Sequence, residues 1–187
     1  VEAKSDMSSF LKEKYEKSVK GELQKKFGFA NPMAVPKILK VSVASGIGKY
    51  LKEKDAVDEI VEGVKAISSQ KPVFAKSKKS ISGFKIRQGQ EVGVAVTLRG
   101  ERMWHFLERL VAAALPRVRD FRGIDPKNVD QHGNLNLAVK EHIVFPEIVP
   151  EQAKTIFGFQ VNVTTTARNK EQGIELFKLL GFPIKSE

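Results

Sequence analysis

Between Lys71 and Arg87 the chain reads KPVFAKSKKSISGFKIR, in which Lys71, Lys76, Lys78, Lys79, Lys85 and Arg87 carry six positive charges that no acid offsets. Like charges this close repel one another and bury little, so the run is poorly suited to stabilising a fold. It suits an arm that grips phosphates, the alternative being a solvated surface loop. Ile81 and Phe84, set among Ser80, Ser82 and Gly83, would bring an apolar tip to a sugar or base edge. A second group, Arg99, Arg102, Arg109, Arg117, Arg119 and Arg122, uses arginine throughout, and the planar guanidinium fork matches phosphate geometry better than a point charge does. Asp120 and Glu101 are placed in sequence to draw one or two of these into structural ion pairs.

Other chemistries find little support. Cysteine is absent, which removes disulfides, thiolate metal sites and thiol nucleophiles together. His105, His132 and His142 lack metal-ligand spacing, and neither a metal nor any other cofactor is expected. Gly46-Ile47-Gly48-Lys49 lacks the spacing of a phosphate loop and reads as a turn. Glu141, Glu147 and Asp125 lie among polar or proline-rich surroundings that mark no catalytic acid–base pair, and no serine sits in a G-x-S-x-G elbow, so the chain reads as a non-enzyme. With 32 Lys and Arg against 22 Asp and Glu, the net charge of +10 favours polyanions, either nucleic acid or an anionic membrane surface. No run approaches the roughly 18 apolar residues of a bilayer span, and a cytoplasmic protein is expected. A membrane-surface role would fall to a basic amphipathic helix over 8–27.

The elements that would hold these residues follow from periodicity. Leu11, Tyr15, Val19, Leu23 and Phe27 recur every fourth position, predicting that helix, with Ser8 or Ser9 as its cap and Gly28 at its end. Leu39, Val41 and Val43 alternate with polar residues in a strand over 38–43. A second helix, 55–68, has a packed face of Val57, Ile60, Val61, Val64 and Ile67. Extended segments at 72–76 and 91–99 should pair as a long hairpin around a polar loop at 77–83. A third helix, 101–115, buries Trp104, Leu107, Leu110, Val111 and Ala114 and is ended by Pro116. Strands are expected at 135–145 and 158–166. A final helix over 170–180 starts from an Asn169 cap with Gln172 three residues on.

Alternation along the strands is the most informative pattern. Val92, Val94, Val96 and Leu98 oppose Gly93, Ala95, Thr97 and Arg99; Phe159, Val161 and Val163 oppose Gln160, Asn162 and Thr164; Leu135, Leu137 and Val139 oppose Asn136, Ala138 and Lys140. One sheet face is therefore aliphatic and the other small, amide-bearing or basic. The second face is either ordinary solvated surface or one that lets an RNA backbone approach closely. The expected class is α+β: an antiparallel sheet with helices packed on one face and the polar face toward RNA. One domain is expected over 1–187, with an N-terminal helix in 1–30 and a core over 31–187 from which the basic loop 75–87 protrudes.

Several long motifs in order resemble one family, the bacterial-type ribosomal protein number five of the large subunit: VPKI at 35–38, SQKP at 69–72, AKSKKSISGFKIRQG at 75–89, VTLRGERM at 96–103, LPRVRDFRG at 115–123 and VKEHIVFPEI at 139–148. The resemblance runs from about Tyr15 to Pro183. It implies a structural part of the ribosome whose polar sheet face docks on 5S rRNA in the central protuberance, with further contacts to large-subunit rRNA and to neighbouring proteins there. Matching positions are Lys40, Ser42, Gln70, Lys71, Thr97, Arg99 and Arg102. It also implies that the loop of Lys76, Lys78, Lys79, Ser80, Ile81, Ser82, Gly83, Phe84 and Lys85 reaches P-site tRNA, and that a surface near 116–133 bridges to a small-subunit head protein. The chain departs from the family at Ala44-Ser45-Gly46-Ile47-Gly48, where the usual pattern begins with Asn, so an amide is missing at position 44.

Overall fold

A computed structural model describes residues 9–51 and 53–185. Five strands, β1 (Ile38–Gly46), β2 (Val73–Lys76), β3 (Glu91–Leu98), β4 (Leu135–Val139) and β5 (Phe159–Thr165), form one sheet in the order β2-β3-β1-β5-β4, every neighbouring pair antiparallel. Among the described residues four helices accompany it: α1 over 10–27, α2 (Lys54–Ser68), α3 over 100–117 and α4 (Lys170–Leu180). The fold is α+β, as the patterns predict.

Val41 and Val43 of β1, Val94, Val96 and Leu98 of β3, Leu135 and Leu137 of β4, and Val161 and Val163 of β5 are all buried. Ile60, Val64 and Ile67 of α2, Trp104, Leu107 and Leu110 of α3, and Leu176, Phe177 and Leu180 of α4 join them in one continuous core. Each such side chain contributes about 1.5–3 kcal/mol by leaving water, which fixes which sheet face the helices cover. A bulge at Leu39 completes the sorting. Ile38 faces Thr165 and Lys40 faces Thr164, so two residues of β1 span one step of β5 and Lys40 turns to the open face.

Helix α1 consists of two α-helical stretches, Phe10–Lys14 and Lys20–Phe27, joined by a π-helical turn, Tyr15–Val19. Apolar residues at every fourth position drift by about 40° per step around an α-helix. The wider π turn takes back much of that drift, and Leu11, Tyr15, Val19 and Leu23 all stay buried. That burial removes the apolar face a membrane-surface helix would need. No helix among the described residues is long and apolar enough to cross a membrane.

Several boundaries and caps differ from the expectations. Ser8 lies outside the described residues, and Ser9 is the N-cap residue of α1 but makes no side-chain cap hydrogen bond; its hydroxyl donates to Glu108 Oε2 at 2.6 Å and so ties α1 to α3. Pro116 does not end α3, which continues through Leu115–Arg117. A π turn over Leu110–Ala114 precedes the proline and loosens the ladder its ring would otherwise disrupt. The strand expected to reach 145 stops at Val139, opposite Phe159, and His142–Val144 forms a 3-10 turn instead. The imidazole there stacks on Phe157 at 4.1 Å between ring centres, and His142 N donates to Phe157 O at 3.0 Å. Asn169 makes no side-chain cap on α4, although Gln172 Oε1 accepts from Arg168 N at 3.1 Å. Gly46-Ile47-Gly48 is the expected turn: β1 ends in it and a 3-10 turn, Gly48–Tyr50, follows.

Candidate RNA interface

The uncovered sheet face carries its side chains in rows that the strand register defines. Thr97 of β3 lies opposite Ser42 of β1, Ser42 opposite Asn162 of β5, and Asn162 opposite Asn136 of β4. This polar row crosses four strands. Beside it runs a second row, Val73, Ala95, Ala44, Gln160 and Ala138, whose side chains are mostly short. A short-chained, hydroxyl- and amide-bearing face admits a phosphodiester backbone closely enough for 2′-hydroxyls to be hydrogen-bonded. Asn162 Oδ1 is buried with no hydrogen-bond partner among the described residues, an acceptor in the middle of the row that lacks a donor.

The positively charged members border this row. Lys40 sits one alternation before Ser42, half-buried, and Arg99 one alternation beyond Thr97, exposed and still in extended conformation before α3 begins. Arg102, exposed, lies in the first turn of α3. Gln70 follows the end of α2, where its Nε2 donates to Thr97 O at 3.4 Å, with Lys71 exposed beside it. The sheet thus brings Lys40, Ser42, Thr97 and Arg99 onto one face and Gln70 to the backbone of the same strand. Asn162, Asn136, Gln160 and Thr164 belong to that face as well, although only their alternation, and no motif, marks them in the sequence.

The loop residues form a separate group beyond the β2 edge. β2 and β3 pair as the predicted hairpin, with Val73 opposite Ala95 and Phe74 opposite Val94, and the segment between them is an ordered arm. Ile81 and Ile86 exchange backbone hydrogen bonds of 2.9 and 3.1 Å, and Ser82–Phe84 forms a 3-10 turn at the end. Lys76, Lys78, Lys79, Lys85 and Arg87 are exposed and enter no ion pair among the described residues.

One member of the arginine group has a different role. Arg109 is half-buried, pairs through Nη1 with Glu147 Oε1, and donates from Nη2 to Ile67 O at 3.0 Å, pinning α2, α3 and the 145–149 segment together. The expected structural partners were Asp120 and Glu101. Asp120 enters no ion pair among the described residues, and Glu101 pairs with Lys12 of α1. Burial lowers the pKa of His142, while the nearby Glu59 carboxylate pulls it the other way; with Nδ1 accepting from Phe157 N at 3.4 Å, this histidine belongs to the core.

Comparison with known proteins agrees with this architecture. Residues 31–87 match the family described as Ribosomal protein L5, and residues 91–184 match the C-terminus of the same ribosomal family. The large ribosomal subunit protein uL5 of Anaeromyxobacter sp. (strain Fw109-5) is 49% identical over 179 residues, covering 96% of this chain and 99% of the relative. That of Anaeromyxobacter sp. (strain K) is 48% identical with the same coverage, and that of Colwellia psychrerythraea is 43% identical over 95% of this chain and 98% of the relative. Two family models that together span most of the chain, and relatives matched along nearly its whole length at this identity, make it a member of the uL5 family, a structural and non-enzymatic component of the large ribosomal subunit.

Proposed function

We propose that this ribosomal protein binds 5S rRNA in the central protuberance through its open sheet face, using Lys40, Ser42, Gln70, Lys71, Thr97, Arg99 and Arg102, and works as a single domain. On this reading it also contacts large-subunit rRNA and neighbouring proteins of the protuberance. Its arm, Lys76 to Lys85, reaches P-site tRNA, and the 116–133 surface bridges to a small-subunit head protein. The observation that carries the 5S reading is the row Thr97, Ser42, Asn162 and Asn136, bordered by Lys40 and Arg99. Its hydroxyls and amides suit 2′-hydroxyls and its cations suit phosphates, so affinity comes from counterion release and selection from shape.

A salt titration of binding to 5S rRNA at fixed magnesium, with a transfer RNA as competitor, tests this. Four phosphate contacts, from Lys40, Lys71, Arg99 and Arg102, predict a log–log slope of about −3 to −4 and binding that survives the competitor. A flat salt response, or equal loss to both RNAs, counts against the assignment. Replacing Lys78, Lys79 and Lys85 by Ala should leave 5S affinity largely intact. Loss of 5S binding in that variant would move the arm from the tRNA to the 5S interface.

A further inference from the structure

The arm is cross-bridged by hydrogen bonds from its neck to its tip. Ser77 N donates to Gln90 O at 2.8 Å and Gly89 N to Ser77 O at 2.9 Å, closing its neck. The Ile81–Ile86 pair closes its outer half, and Gln88 N donates to Ser80 Oγ at 2.9 Å between the two. At the end Lys85 N donates to Ser82 O at 3.0 Å, and Lys85 takes φ +55, a left-handed conformation that bulky residues avoid, so the chain reverses immediately after Phe84. This framework presents apolar surface: Phe84 is 76% exposed and Ile81 47%.

A single exposed apolar side chain needs no explanation. Here an exposed aromatic ring ends a hydrogen-bonded hairpin, with exposed Ile81 three residues before it and a basic collar formed by the exposed Lys78 and Lys79 of one limb and Lys85 and Arg87 of the other. The collar selects a polyanion, and the ring suits the one large apolar surface a nucleic acid offers, the face of a base. We propose that Phe84 is a stacking platform, its ring lying against an exposed nucleobase face at the end of a stack, while the collar holds the flanking phosphates. This rests on the reading that the arm reaches a tRNA, and it assigns the tip a role distinct from charge.

The test uses ribosomes carrying each variant as their only copy of this protein, with deacylated tRNA in the P site and its dissociation rate followed by filter binding across a salt series. Phe84→Ala should speed dissociation on the order of tenfold, the loss expected for one stacked base, without changing the salt dependence. Phe84→Tyr, which keeps the ring, should restore a near-parental rate. The triple variant Lys78→Ala, Lys79→Ala, Lys85→Ala should speed dissociation and flatten the salt response. If the triple variant acts and Phe84→Ala does not, the stacking role is wrong and the tRNA reading stands. Parental rates in both variants would overturn the tRNA reading and the stacking role with it. A flattened salt response in Phe84→Ala would mean that the ring merely positions the lysines, and would also refute the stacking role.

Discussion

Replacing Arg109 by Met separates the structural arginine from those on the RNA-facing surface. Methionine keeps much of the unbranched stem and its packing but removes the guanidinium, leaving Glu147 and the Ile67 carbonyl without their donor. The two side chains of the ion pair are 28% and 24% exposed. Breaking a fully buried pair costs about 3–5 kcal/mol and an exposed one about 0–1, so a pair this deep should cost about 2 kcal/mol. Glu147 Oε2, already buried without a partner among the described residues, adds to the penalty because the whole carboxylate is then uncompensated. For a chain of this length that corresponds to a fall in Tm of about 4–8 °C. Adding Glu147→Gln should recover part of it, since no unpaired charge then remains. The assay is a pair of measurements on each variant, thermal unfolding and the salt slope of rRNA binding. Arg109→Met should lower Tm and leave the slope unchanged, whereas Arg102→Met should leave Tm within about 2 °C and reduce the slope by about 0.9. An unchanged Tm in Arg109→Met together with a reduced slope would refute the structural assignment.

Two further outcomes follow from buried polar groups. Asn162→Val removes an acceptor that lacks a donor, so the free protein should gain about 0.5 kcal/mol in thermal unfolding while rRNA affinity drops about fivefold; a variant that binds as tightly as the parent would show that Asn162 does not meet the RNA. Burial depresses the pKa of His142 despite the opposing pull of Glu59, so the unfolded chain takes up a proton near pH 6.5 while the folded chain still excludes it. The stability this histidine contributes is thus fully present above about pH 6.5 and declines as pH falls toward the folded value. His142→Phe, which can keep the stack on Phe157, should reduce the fall in Tm between about pH 7.5 and about pH 5.5, and an undiminished fall would assign that pH dependence to other groups.

Local pattern revealed most of the elements, because burying one helix stripe or one strand face imposes a period on the sequence. It failed where a contact distant in sequence overrides the local rule. The run EHIVF reads as strand, yet His142 leaves the ladder to stack on Phe157, and nothing within the run reports that partner. Pro116 obeys its usual rule only in an unbroken α-helix, and the π turn before it changes the context. Arg109 resembles its neighbours in type and spacing, but its partners Glu147 and Ile67 lie 38 and 42 residues away. The open face was legible as alternation in each strand separately. That Asn162 and Asn136 share a row with Ser42 and Thr97 depends on the order β3-β1-β5-β4, which long connections set and the strands themselves do not encode.

The π turns of α1 and α3 also bear on how the chain tolerates changes in length. A π turn closes each hydrogen bond over one more residue than an α turn, so it is where a helix can lose a residue and relax to regular geometry. Deleting one residue within Tyr15–Val19 or Leu110–Ala114 offers the helix that route. The same deletion inside α2, which has no such reserve, turns everything beyond it by about 100° and drives polar side chains into the core. Single-residue deletions along α1 and α3 should therefore be survivable in two narrow windows, and length variation among relatives in these helices has its natural place there.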